Sequence, residues 1–145
     1  MVQKTIAHIE TREGSPFAVA IEVSGHTLIG DEPTGSGGAG LGPSPFDLLT
    51  AALGECTAMT IRWYAAKHDW PLEQTRVEVQ HGKKIRAGSG EVVDEFRIAM
   101  EVIGAQLSDE QRSKLYEIAT ECPVHQALTG TIAITMSPQD TKPAV

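Results

Sequence analysis

The two cysteines are the residues of this chain whose types and spacing could do chemistry. Cys56 lies in "ALGECTAMT" and Cys122 lies 66 positions later in "ECPVHQAL", each directly after a glutamate. Two thiols can cycle between dithiol and disulfide, or they can be buried as inert small side chains. The C-x-x-H spacing also suits metal ligands, so Cys56, Cys122, His125 and Glu55 form an alternative zinc set. Composition alone leaves these alternatives open.

A long helix is predicted to carry Cys56. In "SPFD", Ser44 suits the N-cap, Pro45 the first helical position and Asp47 the third residue after the cap. The helix is expected to run to about His68, since Pro71 limits its continuation.

The apolar residues of this helix predict burial on every side. A stripe with spacings of three and four includes Cys56 and predicts a core position for it; its members are Leu49, Ala52, Cys56, Met59 and Trp63. Glu55 is the only charged residue between Leu48 and Ile61. A domain of this size cannot easily cover such a helix alone, so we expect a homodimer whose two central helices are covered by sheets from both subunits.

Cys122 is predicted to stand at the start of a short helix. Ser108 and Gln111 form a capping box for a helix to about Thr120, and a further helix follows from Pro123 to Gly130 with Cys122 as its N-cap. The helix dipole and free N–H groups there favour a thiolate. Cys56, by contrast, needs a cation from elsewhere in the chain to ionise in an apolar setting. The candidates are Arg12, in the turn "TREG", and His125.

Short alternating runs predict antiparallel strands on both sides of the long helix. Before it, "KTIAHIE", "FAVAIEV" and "HTLIG" form a meander, followed by a flexible glycine-rich loop, "GDEPTGSGGAGLGPSP", over residues 30–45. After it, "TRVEVQHGKKI" and "VVDEFRIAMEVIG" form a long hairpin, "TIAIT" a closing strand and "SPQDTKPAV" a frayed tail. The loop contains "GSGGAG", but neither a preceding parallel strand nor an immediate helix accompanies it, so no nucleotide cofactor is expected.

Length and charge restrict the classes of protein. The 145 residues with 41% hydrophobic content suit one domain, 1–145, of the α+β class. A net charge of -7 disfavours nucleic acid and anionic membranes. The N-terminus lacks a signal-peptide pattern, and no run suits a membrane span, so a cytoplasmic protein is expected. In that reducing compartment a permanent disulfide is disfavoured.

The paired segments "LGPSPFDLLTAALGECTAMTIRWYAAKHDWPLE" and "ECPVHQAL" resemble the OsmC/Ohr family of osmotically induced and organic hydroperoxide resistance proteins. The resemblance implies antiparallel sheets wrapped around a long central buried helix in an intertwined homodimer. It also implies a cysteine-based peroxidase for small organic hydroperoxides. Cys56 would attack the peroxide and become a sulfenate, and Cys122 would resolve it as a disulfide. A dithiol of the dihydrolipoamide type would be the reductant, with no cofactor.

The resemblance carries over to the other site residues less directly. "TREG" is similar to the "GRDG"-like turn of the organic hydroperoxide resistance members, which makes Arg12 the activating cation. Those members have a glutamate ten residues before the attacking cysteine, where this chain has Phe46, so Asp47 or Glu55 would orient the arginine instead. His125 is a further candidate to polarise either sulfur. A rival hypothesis is a protein that binds an apolar ligand with incidental thiols.

Overall fold

A computed structural model describes residues 4–139 as an α+β chain with two separate antiparallel sheets. The first sheet has the order β1-β2-β3, and the second is the hairpin β4-β5. This confirms the predicted fold class, meander, hairpin and three helices. The elements are β1 Ala7–Thr11, β2 Val19–Val23, β3 His26–Gly30, α1 Pro45–Lys67, β4 Gln74–Ile85, β5 Val92–Ile103, α2 Asp109–Ile118 and α3 Pro123–Thr129.

The predicted start of α1 is confirmed at atomic detail. The Asp47 amide donates to Oγ of Ser44 at 3.2 Å, and the Ser44 amide donates to Oδ2 of Asp47 at 2.9 Å. This reciprocal capping box satisfies two N–H groups that would otherwise lack partners, and Pro45 has no N–H to satisfy. The site of Cys56 is therefore on a helix whose first turn is firmly defined.

The buried face of α1 differs from the predicted stripe. The buried residues are Leu53, Thr57, Ile61 and Ala65, one turn apart along the helix. Met59 and Trp63 are instead 61% and 60% exposed, and Cys56 is only half-buried. The prediction of a core position for that stripe was wrong within one subunit. The reason is that α1 turns the face of Ile61 and Ala65 toward α2 and β5, where they share a core with Val102, Leu107, Leu115 and Ala119.

The N-terminal sheet has an apolar face that the rest of the subunit leaves partly open. Ile9 pairs with Ile21, and Ile21 pairs with Leu28, so the three side chains share one face. Ile9 and Leu28 are exposed in the single chain. Apolar side chains in register on one sheet face usually pack against another layer. This sheet therefore has a surface suited to a second protein layer.

The glycine-rich loop is organised around one buried carboxylate. Asp31 is 3% exposed, and it accepts hydrogen bonds from the hydroxyl of Ser15 at 2.7 Å and from the amides of Glu32, Ala39 and Leu41 at 2.8 to 3.1 Å. A Cβ at Gly42 would overlap the carbonyl oxygen of Ile29, which explains the glycine there. These contacts fasten the loop to the β1–β2 turn, contrary to the expectation of a flexible loop.

The predicted closing strand does not form within the subunit. Residues 131–139 have no regular secondary structure, although Ile132, Ile134 and Met136 alternate with more polar residues. Ile134 and Met136 are 86% and 96% exposed. The strand is absent because no described strand edge of the same chain pairs with it. Of the predicted tail, residues 140–145 lie outside the described residues.

None of the helices within residues 4–139 combines the length and the apolarity that crossing a bilayer requires.

Candidate active site

Cys56 lies on α1 at the wall of an open apolar cavity. The cavity has a volume of about 530 Å³ and is formed between α1 and the segment that joins α2 to α3. Its apolar lining is Ala52, Met59, Trp63, Ile118, Pro123 and Val124, and its polar lining is Glu55, Thr60, Tyr64 and Glu121. The helical spacing of residues 52, 56, 59, 60 and 63 places them on one face of α1. The thiol is thus reachable from a predominantly apolar space.

The start of α3 places Cys122 next to residues that line this cavity. It is fully buried, and it is the N-cap of α3, as the sequence predicts. Its Sγ accepts a hydrogen bond from the backbone N–H of His125 at 3.4 Å. A sulfur replaces the usual capping oxygen in this contact. The N-cap position therefore fixes the direction of the Cys122 side chain.

Cys56 and Cys122 are neighbours within one subunit. Both are free thiols, and the side chain of Cys122 is close enough to act on the thiol of Cys56. The residues on either side of Cys122, Glu121 and Pro123, line the same cavity as Cys56. The structure therefore brings together the two cysteines that the sequence singled out.

The pKa of the Cys56 thiol is raised above its ordinary value. Burial is the largest cause, and the hydrogen bond with Cys122 adds to the rise because it favours the protonated pair. Hydrogen bonds from the backbone N–H of Val124 and from the Thr60 hydroxyl act in the opposite direction. The start of α3 thus acts on both thiols: the His125 amide donates to Cys122, and the Val124 amide acts to lower the pKa of Cys56. The sequence interpretation, which gave these amides to Cys122 alone, was incomplete.

The two acidic candidates on α1 lie at different places. Glu55 lines the thiol cavity. Asp47 is engaged in the capping box, where the hydrogen bonds from the Ser44 amide and hydroxyl hold the pKa of its carboxyl below the ordinary value. Nine residues of helix separate Asp47 from Cys56, which is about 13.5 Å along the axis. Within one subunit, Asp47 is therefore a capping residue away from the thiol.

The two candidate cations are not brought to Cys56 within the subunit. Arg12 is exposed in the β1–β2 turn, where its backbone N–H donates to the Ala18 carbonyl at 3.0 Å, and it does not line the thiol cavity. The side chain of His125 lines a second cavity of about 440 Å³ on the other side of α3. His125 thus contributes its backbone amide to the site.

Phe46 also belongs to the second cavity. At the position where the resemblance expects a glutamate, its ring stacks on His81 with 4.4 Å between ring centroids. Phe46 therefore fastens the first turn of α1 to the hairpin β4–β5 through an aromatic contact.

The alternative zinc set is not assembled. Within residues 4–139, no group of three or more His, Cys, Asp or Glu side chains is placed to hold a metal ion. His125 lines the second cavity and not the thiol cavity, which removes one of the four ligands that the alternative requires.

The sequence did not predict two residues of the site. Thr60 stands one helical turn after Cys56, and Val124 is the second helical residue after the Cys122 cap. Their positions carry a readable signal, because residues four apart share a helix face and the first amides of a helix lack internal partners. Neither signal tells which sulfur receives the hydrogen bond, since that depends on how α3 packs against α1.

The fold and the site together define an α+β protein with a pair of thiols at an apolar cavity on a long helix. The sequence pattern of the OsmC-like proteins matches residues 36–137, and the chain belongs to this family. The match begins after the N-terminal meander, so the turn with Arg12 lies outside it.

Solved structures share the fold at low sequence identity. An organic hydroperoxide resistance protein OsmC from Legionella pneumophila is 21% identical, with a TM-score of 0.67 over 90% of this chain and 92% of that chain. An OsmC-like protein from Mycoplasma pneumoniae is 16% identical, with a TM-score of 0.72 over 90% of both chains. The organic hydroperoxide resistance protein OhrB of Bacillus subtilis is 18% identical, with a TM-score of 0.60 over 88% of this chain and 92% of that chain. Among curated proteins, none matches the sequence.

Proposed function

We propose that this protein is a thiol-dependent peroxidase that reduces organic hydroperoxides. The observation that carries the proposal is the proximity of the Cys56 and Cys122 side chains at an apolar cavity. Of the solved structures with this fold, those from Legionella pneumophila and Bacillus subtilis are named organic hydroperoxide resistance proteins, which supports the same class of substrate. The apolar lining suits the alkyl part of such a substrate.

The proposed reaction uses the two thiols in turn. The thiolate of Cys56 attacks one peroxide oxygen, so an S–O bond forms, the O–O bond breaks, and the leaving alkoxide takes up a proton to become an alcohol. The thiolate of Cys122 then attacks the sulfenic sulfur, forms the disulfide and releases hydroxide, which takes up a proton to become water. A dithiol reductant, of the dihydrolipoamide type, returns two electrons by thiol–disulfide exchange. Two free thiols and this reductant suit the cytoplasm.

Activation of Cys56 is proposed to need a second subunit. The pKa of its thiol is raised, and an arginine within hydrogen-bonding distance would favour the thiolate. In a homodimer, Arg12 of the partner subunit could reach the open side of the cavity, where Met59 and Trp63 are exposed. Glu55, which lines the same cavity, could orient that guanidinium.

Rapid mixing of the reduced protein with an alkyl hydroperoxide tests the proposal. Oxidation is expected to be orders of magnitude faster than that of free cysteine, with one alcohol formed per disulfide and turnover in the presence of dihydrolipoamide. A rate equal to that of free cysteine would overturn the peroxidase. Tight binding of an apolar probe in the cavity, together with that slow rate, would favour the apolar-ligand hypothesis.

A further inference from the structure

Each cysteine is directly preceded by a glutamate, and both glutamates line the thiol cavity. Glu55 stands on α1 before Cys56, and Glu121 stands before Cys122 in the segment that joins α2 to α3. Both glutamates are exposed, and an exposed glutamate carries its negative charge at neutral pH. Within residues 4–139, none of the residues that line this cavity is a lysine, an arginine or a histidine. Two carboxylates therefore border the space through which a substrate reaches Cys56.

The lysines around the cavity do not cancel the charge of the two glutamates. Lys114 on α2 is within electrostatic reach of Glu121, but its Nζ pairs with Oε1 of Glu117 at 3.1 Å. Lys67 is the last residue of α1 and follows Cys56 by eleven residues, which is about 16.5 Å along the helix axis. The negative charge at the cavity therefore remains.

The two glutamates differ in their surroundings. Arg62 lines a neighbouring groove of about 530 Å³, and Glu55 and Glu73 line that groove with it. The charge of Glu55 is thus partly offset, whereas Glu121 does not line the groove of Arg62. In the proposed dimer, a guanidinium from Arg12 would be balanced by the thiolate that it stabilises. Glu121 is accordingly the carboxylate whose charge acts most directly on an entering molecule.

We infer that the thiol cavity selects substrates by charge: it favours neutral alkyl and aryl hydroperoxides over those that bear a carboxylate, and Glu121 is a specificity-determining residue. The apolar lining cannot replace the water that solvates an anion, and the glutamates repel it. With the screening that water provides near a protein surface, one carboxylate slows an anionic reagent by about threefold. The selectivity among hydroperoxides rests on the proposed function, whereas the charge selectivity of the cavity does not.

The test compares alkylation of Cys56 by iodoacetamide, which is neutral, and by iodoacetate, which is an anion of similar size. Both reagents react with the thiolate, so the ratio of the two rates cancels any change in the fraction of thiolate. A Cys122→Ser background leaves one thiol to react. At neutral pH and low ionic strength, we expect the ratio of the iodoacetamide rate to the iodoacetate rate to exceed that of the neutral model thiol N-acetylcysteine amide by about tenfold.

Glu121→Gln removes one charge and keeps the size of the side chain, so it should lower this ratio by about threefold. Glu78→Gln is the matched control, because Glu78 is exposed on β4, where it accepts a hydrogen bond from Gln80, and it does not line the thiol cavity. It changes the net charge by the same amount and should keep the parent ratio. At an ionic strength of about 0.5 M, Glu121→Gln and the parent protein should give similar ratios, since salt screens charge but leaves the apolar lining unchanged.

A parent ratio no higher than that of the model thiol would overturn the proposal, as would equal ratios for Glu121→Gln and Glu78→Gln at low ionic strength. In the protein with both cysteines, cumene hydroperoxide should react faster than its para-carboxylate derivative, and Glu121→Gln should narrow the difference. If the wild type reduces neither hydroperoxide, the proposed function fails, but the alkylation ratios still decide the charge selectivity of the cavity.

Discussion

The side chains of Cys56 and Cys122 lie next to each other although the two residues are 66 positions apart in sequence. Cys122 caps the start of α3, where the His125 N–H donates to its Sγ, and its neighbours Glu121 and Pro123 line the cavity of Cys56. The environments nevertheless differ, since Cys122 is fully buried and Cys56 borders an open cavity. Access therefore distinguishes the two thiols.

Substitution of Cys56 and substitution of Cys122 should have different effects on the reaction with peroxide. Cys56→Ser should abolish peroxide consumption, because the accessible sulfur is lost. Cys122→Ser should react once, and its Cys56 sulfenate should over-oxidise to sulfinate because no thiol traps it. Mass spectrometry after graded additions of alkyl hydroperoxide measures both outcomes. A sulfenate that forms on Cys122 in the Cys56→Ser protein, combined with an inert Cys122→Ser protein, would reverse the assigned roles.

Arg12→Ala should slow oxidation of Cys56 by at least tenfold, which is about 1.4 kcal/mol of barrier. In the proposed homodimer, the substitution removes the guanidinium that would favour the thiolate. Arg12→Lys should restore activity in part, since lysine lacks the planar fork. Arg76→Ala, at an exposed ion pair with Glu101, is the control and should behave as wild type. The measurement is the second-order rate with alkyl hydroperoxide from pH 5 to 9.

His125→Ala tests the second candidate cation by the same rate measurements from pH 5 to 9. Its side chain lines the cavity on the other side of α3, and its backbone amide remains after substitution. We therefore expect a pH profile like that of the wild type. If histidine activated the thiol, the wild-type rate would fall as pH rises through about 6.5, and His125→Ala would abolish that fall.

Asp31 should make stability depend on pH in the acid range. Burial alone would raise the pKa of its carboxyl, but the hydrogen bonds from Ser15, Leu41, Ala39 and Glu32 together hold it below the ordinary value. A lowered folded-state pKa gives a stabilisation that is present above the unfolded-state pKa of about 4 and is lost as pH falls below it.

Asp31→Asn should therefore lower the Tm at pH 7 and flatten the dependence of Tm on pH between pH 5 and 2. Asp69→Asn, which changes an exposed carboxylate in the turn after α1, is the control and should keep the wild-type slope. Thermal unfolding followed by circular dichroism across this range measures both proteins. Equal slopes for wild type and Asp31→Asn would show that the carboxylate does not hold the loop.

Local chemistry explains why much of the fold was predictable. Ser44, Pro45 and Asp47 define a helix start without help from distant residues, and the alternation in β4 and β5 specifies a hairpin. The buried face of α1 was not predictable from hydrophobicity, because Thr57 is buried while Trp63 is exposed. The hydrogen bonds around the Asp31 carboxylate were not predictable for another reason. Its partner Ser15 is 16 residues away, and their contact depends on how two loops fold together.

The exposed apolar surfaces indicate what completes the subunit. Ile9 and Leu28 on the first sheet, Met59 and Trp63 on α1, and Ile134 in the C-terminal segment are all open in the single chain. Apolar surface on this scale marks a protein interface more often than a bare exterior. We propose that a second copy covers it and that residues 131–137, which alternate like a strand, pair with a sheet edge of that copy.

Ile134→Glu should therefore dissociate the dimer, because in an extended strand residues 132, 134 and 136 point to one face and a carboxylate there would be buried without a partner. Thr135→Glu is the matched control, since residue 135 points to the opposite face. Size-exclusion chromatography with light scattering should give twice the chain mass of 15.5 kDa for wild type and Thr135→Glu, and a single chain mass for Ile134→Glu. The Ile134→Glu protein should also lose peroxide reduction if Arg12 of the partner subunit activates Cys56. A wild-type mass of one chain at micromolar concentration would refute the dimer, and full activity of that single chain would remove Arg12 from the proposed mechanism.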